Sequence, residues 1–211
     1  MRRLADLRLM LVTDAAMTAR RGLMRTVLEA VTGGVTVVQL RDKDASDEDL
    51  VALARALRSE LAPRGIPLIV NDRPDAARAG GADGAHIGQA DGDPAGARRL
   101  LGPDALLGLS VTRAEEMETV DPTVVDYVGL GPVFATATKA DAAAALGLDG
   151  FRAVGAMLPV PFVAIGGVDA ANAGAIMAAG AAGVAVVSAI CAAPDPEAAA
   201  RALRSAVEPA A

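Results

Sequence analysis

Lysine occurs twice in this chain and arginine eighteen times. Lys43 and Lys139 each follow an apolar run that reads as a strand. The two glutamines, Gln39 and Gln89, sit at the ends of such runs, as do Asn71, Ser110 and Ser188, and Asn172 follows another. Lysine is a compact point charge and arginine a rigid fork, and a diphosphate is well held by both. Arg41, Lys43 and Lys139 supply cations here. Gln39, Asn71, Ser110, Thr136 and Thr138 supply hydrogen-bonding groups. The stretch "GLGPVFATATK", residues 129–139, ends a strand with two threonines and a lysine. That pattern suits a cradle for a multiply charged anion.

Two carboxylates stand beside this basic set. Asp72 and Asp91 follow neighbouring strands, and carboxylates next to a phosphate site point to a shared Mg²⁺, which takes few protein carboxylates plus phosphate oxygens. "ND" alone is a common turn pair; the basic surroundings give it weight. "AIGGVDAAN" and "VVSAI" suit a second anion site, because glycine lets backbone amides approach a phosphate. The bland reading of Gly166 and Gly167 is a tight turn. His86, the single histidine, lies before its strand's end and reads as a satisfied interior group rather than a base. Cys191 reads as packing, Tyr127 as cover for a barrel edge and the methionines as gap-fillers. Arg73 has two open readings, a partner for Asp72 or a contact to substrate.

The elements that must position these groups repeat. "LRLMLVTD", "VTVVQLRDK", "IPLIVND", "GAHIGQ", "ALLGLSVT", "DYVGLGP", "PFVAIGG" and "GVAVVSA" are eight apolar runs separated by helix-like segments. Most are continuously apolar, as strands covered on both faces should be. Ser46 with Asp49, Thr112 with Glu115, and Asp195 with Pro196 mark expected helix starts. Gly33, Gly80 and Gly180 mark expected stops. Eight βα units predict a single α/β domain over residues 1–211, a (β/α)8 TIM barrel, with the polar strand ends meeting on one face. A doubly wound sheet competes, but "LVTDAAMTAR" lacks the Gly-rich first turn.

Composition excludes other classes. The formal net charge is -6, with no basic block interleaved with aromatics, so nucleic acid is not an expected partner. One cysteine excludes an internal disulfide. The uncharged stretch 170–194 is rich in Ala and Gly and is interrupted by Asn172, so it reads as a buried helix and strand rather than a membrane span. The cytoplasm is the expected location. Assembly into a homo-oligomer is left open.

"LVTD", "VQLRDK", "LIVNDR", "DGAHIGQAD", "GLSVT", "DYVGLGPVFATATK", "VAIGGV" and "GVAVVSAI" appear in this order from about residue 9 to 191. Together they resemble the thiamine-phosphate synthase family. The resemblance implies a (β/α)8 barrel that joins a hydroxymethylpyrimidine diphosphate to a thiazole phosphate with Mg²⁺, releasing thiamine phosphate and pyrophosphate. By motif it assigns Gln39, Arg41, Lys43, Asn71 and Lys139 to the pyrimidine diphosphate, Asp72 and Asp91 to Mg²⁺, and Ser110 to the reaction centre. It assigns Thr136, Thr138, Gly167, Val187 and Ser188 to the thiazole phosphate. Lys139, Ser110 and Arg41 are the candidates for catalysis, and "ADAAAALGLDGF" after Lys139 is an expected flap. Two rivals remain. A thiazole tautomerase-like barrel would need neither Mg²⁺ nor the diphosphate set, and an inactive barrel would only sense thiazole phosphate.

Overall fold

The computed structural model describes residues 5–136 and 144–208. Thr138, Lys139 and residues 140–143 of the expected flap lie outside these residues; from Gly147 on, that segment is the start of a helix rather than a flap.

The eight apolar runs become eight parallel strands. They are β1 (Leu9–Val12), β2 (Val37–Leu40), β3 (Leu68–Asn71), β4 (Gly84–Ile87), β5 (Leu106–Val111), β6 (Tyr127–Leu130), β7 (Phe162–Ile165) and β8 (Gly183–Val186). Each pairs with the next, and β8 pairs with β1 to close the barrel. Helices cover the outside: α1 (Ala15–Thr18), α2 (Leu23–Thr32), α3 (Asp47–Leu61), α4 (Pro74–Gly80), α5 (Pro94–Leu101), α6 (Gly147–Gly155), α7 (Ala173–Ala178), α8 (Ser188–Cys191) and α9 (Pro196–Val207).

Local chemistry sets the helix starts. The Ser46 hydroxyl accepts from Asp49 N–H and opens α3, with three acidic residues in its first turn. Asp195 accepts from Ala198 N–H before Pro196 at the head of α9. One expected start differs. Thr112 is tied to Glu116, not Glu115: its N–H donates to Glu116 at 2.7 Å and its hydroxyl does so at 2.9 Å. The segment it precedes, Ala114–Thr119, is a 3₁₀ helix rather than an α-helix. The tighter winding moves which side chain reaches back.

Strand alternation separates two cores. Leu9 and Leu11, Val38 and Leu40, Leu68 and Val70, and Leu107 and Leu109 pack outward under the helices. Met10, Val12, Val37, Ile69, Leu106, Tyr127, Val163 and Ala185 fill the lumen. Tyr127 is therefore not an edge cover. It is fully buried inside the barrel, where its phenol has room because its neighbours on the sheet lack side chains. A Cβ on Gly108 would lie 2.3 Å from Tyr127 Cζ and 2.3 Å from His86 Nδ1. Gly108 is the register partner of both residues.

Gly108→Ala should consequently lower unfolding stability by about 1–3 kcal/mol, the usual cost of overpacking a core. Urea denaturation checks this. Gly96→Ala in α5, where a new Cβ would come no nearer than 3.5 Å to a neighbour, should not lower it.

Candidate active site

The C-terminal ends of the strands carry the scarce polar residues. Gln39 and Asn71 are two residues beyond the lumen-facing Val37 and Ile69, and Ser110 is two beyond Gly108, so all three fall on the inward face. The polar groups thus form a layer above an aliphatic floor.

The loop after β2 is held from both sides. The Thr13 hydroxyl accepts from Arg41 N–H at 2.9 Å and donates to the Arg41 carbonyl at 3.3 Å. Asp14 caps α1 by accepting from Met17 N–H and lies 3.7 Å from the Arg41 guanidinium. The two side chains are only 18% and 19% exposed, so the guanidinium is held at the mouth rather than free in solvent. On the other side Arg73 donates to the carbonyls of Asp42 and Ala45, each at 2.8 Å, and pairs with Asp47 at 3.1 Å. Its carboxylate partner is thus Asp47 and not Asp72. Arg73 clamps the turn that carries Lys43.

The loops after β3 and β4 bring the carboxylates together. Asp72 has φ +64°, the left-handed region, and is the one non-glycine residue there among the described residues. Its N–H donates to the His86 carbonyl at 2.8 Å. Such a backbone costs about 1–3 kcal/mol and persists where the surroundings impose it. Asp91 is fixed by its own turn, accepting from Gly88 N–H at 2.7 Å. The two carboxyls lie close enough to influence each other's ionisation. Burial first, and then the neighbouring Asp91 carboxyl, push Asp72 up to about 6, while Lys43 and Arg41 pull it down. Arg41, Lys43, Asp72 and Asp91 therefore share one electrostatic neighbourhood. No group of three or more His, Cys, Asp or Glu capable of holding a metal occurs among the described residues. A two-carboxylate pair is suited to an ion that takes its remaining ligands from water and phosphate.

His86 is the interior group expected. Nδ1 lies 3.0 Å from Tyr127 Oη and Nε2 lies 2.9 Å from Ser110 Oγ. Burial pushes its pKa down to about 4, so the ring is neutral at pH 7. Gln39 Nε2 donates to Met10 Sδ at 3.6 Å. Gln89 donates to the Ser110 carbonyl at 2.8 Å. Cys191 is buried with its thiol pushed up to about 11, as packing requires.

The β7 and β8 ends face the β6 loop. Gly166 and Gly167 have φ +94° and +67°, and Cβ atoms there would lie 2.5 Å from Pro132 and 2.7 Å from Phe134. Both glycines are thus required by conformation and by close approach to the segment leading into Thr136. Val187 and Ser188 open the short α8 directly after β8.

Sequence reasoning missed Thr13, Asp14, Arg73 as a clamp and Tyr127 as a lumen group. A mid-strand glycine, Gly108, beside a histidine strand was the available signal for Tyr127.

A closed parallel barrel with two cations and two carboxylates at its C-terminal mouth defines a (β/α)8 barrel with its polar groups on the face where such barrels build active sites. Residues 9–190 match the family described as thiamine monophosphate synthase. The thiamine-phosphate synthases of Azorhizobium caulinodans and Xanthobacter autotrophicus are 56% and 57% identical to this chain, each alignment covering 96% of both sequences. The solved structure of a thiamine phosphate pyrophosphorylase from Pyrococcus furiosus superposes with a TM-score of 0.87 at 33% identity, covering 96% of each chain. The chain belongs to the thiamine monophosphate synthase family.

Two predictions follow from the loop geometry. Arg73→Ala should speed amide hydrogen exchange in residues 42–46 while leaving the strands protected, and Arg73→Lys should give an intermediate rate because it lacks the fork. Hydrogen exchange by mass spectrometry reads both. Asp72 ionises at about 6 in the fold and at its ordinary 3.8 when unfolded. In that window the folded state holds the extra proton, so metal-free stability should fall as pH rises from about 4 to about 6. Melting curves of Asp72→Asn should show a smaller fall than the parent over the same interval.

Proposed function

We propose that this protein condenses 4-amino-2-methyl-5-hydroxymethylpyrimidine diphosphate with thiazole phosphate to give thiamine phosphate and pyrophosphate. The supporting observation is the gathering of Arg41, Lys43, Asp72 and Asp91, from three separate loops, at one mouth. Family membership supplies the substrates.

In this reaction the bond between the pyrimidine methylene carbon and the diphosphate oxygen breaks, and its electron pair leaves with the oxygen. A carbocation-like pyrimidine remains. The lone pair of the thiazole nitrogen then forms the new C–N bond. Such a reaction needs no side-chain nucleophile. It needs preorganised positive charge on the departing group, exclusion of water and alignment of the two rings.

The residues divide accordingly. Arg41, Lys43 and Lys139 bind the diphosphate, with Arg41 preset by Asp14 and Lys43 by the Arg73 clamp. Gln39 and Asn71 orient the pyrimidine half, and Ser110 contacts the diphosphate at the reaction centre. Thr136, Thr138, Gly167, Val187 and Ser188 hold the thiazole phosphate, at the β7–β8 side where barrels of this class often bind phosphate. Asp72 and Asp91 fit Mg²⁺, because two neighbouring carboxyls that cannot readily both ionise when alone can do so around a divalent cation. Bound there, the ion would neutralise charge on the diphosphate oxygens.

Small molecules are the partners in this reading, and the cytoplasm is the place of action. Among the described residues no helix is long and apolar enough to cross a membrane.

Purified protein given both substrates and Mg²⁺ should form thiamine phosphate and pyrophosphate in equal amounts. Conversion of the thiazole alone would select a tautomerase, and binding without product an inactive sensor. Lys139→Ala should lower kcat about 10²–10³-fold at saturating substrate, the scale for loss of one preorganised donor. Near-normal turnover would remove Lys139 from the reaction.

A further inference from the structure

A chain of hydrogen bonds crosses the barrel beneath the mouth. It runs from Tyr127 on β6 to His86 Nδ1 on β4, and from His86 Nε2 to Ser110 Oγ on β5. Its upper end is the group assigned to the diphosphate. Its other two members are deeply buried: Tyr127 is 0% and His86 7% exposed. Space for it is built into the sheet. A Cβ on Gly108 would strike both rings, and one on Gly129 would lie 2.9 Å from His86 Cε1.

Counting protons along this chain leaves two arrangements. A neutral imidazole has one donor and one acceptor, and a phenol has one proton. In the first arrangement Nδ1–H donates to Tyr127 and Ser110 must donate to Nε2. Ser110 then offers only lone pairs to the mouth. In the second, Tyr127 donates to Nδ1 and Nε2–H donates to Ser110 Oγ. The Ser110 proton is then free to point outward.

The diphosphate role proposed for the mouth distinguishes them. Lone pairs aimed at a diphosphate would repel it, whereas an O–H donor stabilises it. We infer that Tyr127 and His86 are positioning residues that hold the ring in its Nε2–H tautomer, so that Ser110 presents a donor to the diphosphate. This rests on the reading of the mouth as a diphosphate site. The polarity is set inside the barrel, away from solvent, before substrate arrives.

His86 is the single histidine, so ¹⁵N-histidine labelling gives one pair of ring-nitrogen signals that need no assignment. In the ligand-free protein at neutral pH, Nε2 should be protonated and Nδ1 bare. A ring protonated on Nδ1, or on both nitrogens, would overturn the inference. Kinetics gives a second reading. Tyr127→Phe removes the donor to Nδ1 and should lower kcat on the order of tenfold with KM for the pyrimidine diphosphate little changed. In a Ser110→Ala background the same substitution should cost no more than about twofold, because the two act through one hydroxyl. Independent, multiplicative losses would assign Tyr127 a purely packing role and sink the proposal. The tautomer is read without substrate. Absence of product from the parent enzyme would sink the diphosphate reading, while the spectrum alone decides the direction of the chain.

Discussion

Two carboxyls, Asp72 and Asp91, are brought together at the barrel mouth, and the site is organised around that conflict. Like charges at this range cannot both ionise without compensation. Arg41 and Lys43 supply part of it, yet Asp72 remains raised to about 6. The backbone adds to the conflict, since Asp72 is held at φ +64°. Residues on and just after β3 and β4 maintain the arrangement: Gly88 fixes Asp91, His86 fixes the Asp72 amide and Arg73 fixes the turn bearing Lys43. In the metal-free fold Asp72 therefore keeps its proton up to about pH 6.

The barrel makes this affordable. Its lumen is closed below by aliphatic side chains and its outer wall by alanine, valine and leucine under the helices. Polar groups are confined to one layer at the strand ends. Within that layer no buried side-chain nitrogen or oxygen lacks a partner among the described residues. The Tyr127–His86 pair shows how this is achieved: two large polar rings are admitted where two strands carry glycine, and they bond each other and Ser110.

Most of the architecture was legible in the residue pattern, because a strand buried on both faces must be apolar throughout and a helix must be capped. All eight runs became strands, and Ser46 and Asp195 cap helices as read. Thr112 shows the limit. Glu115 and Glu116 are equally good partners on paper, and only the 3₁₀ winding selects Glu116. At the site, scarcity exposed Lys43, Gln39, Asn71 and Ser110. It could not expose Arg73, one arginine among eighteen, because a clamp on backbone carbonyls leaves no mark in sequence. Tyr127 was misplaced for a related reason. Inward and outward positions look alike in a strand covered on both faces, so its direction became evident only from register.

The central claim is that the mouth is completed by a divalent cation and a diphosphate together. Calorimetric titration of pyrophosphate into the protein, with Mg²⁺ and then with chelator, tests it most directly. Binding that is strong with Mg²⁺ and at least about tenfold weaker without it, a difference of about 1.4 kcal/mol, is the result expected. Equal affinity under the two conditions would contradict the account.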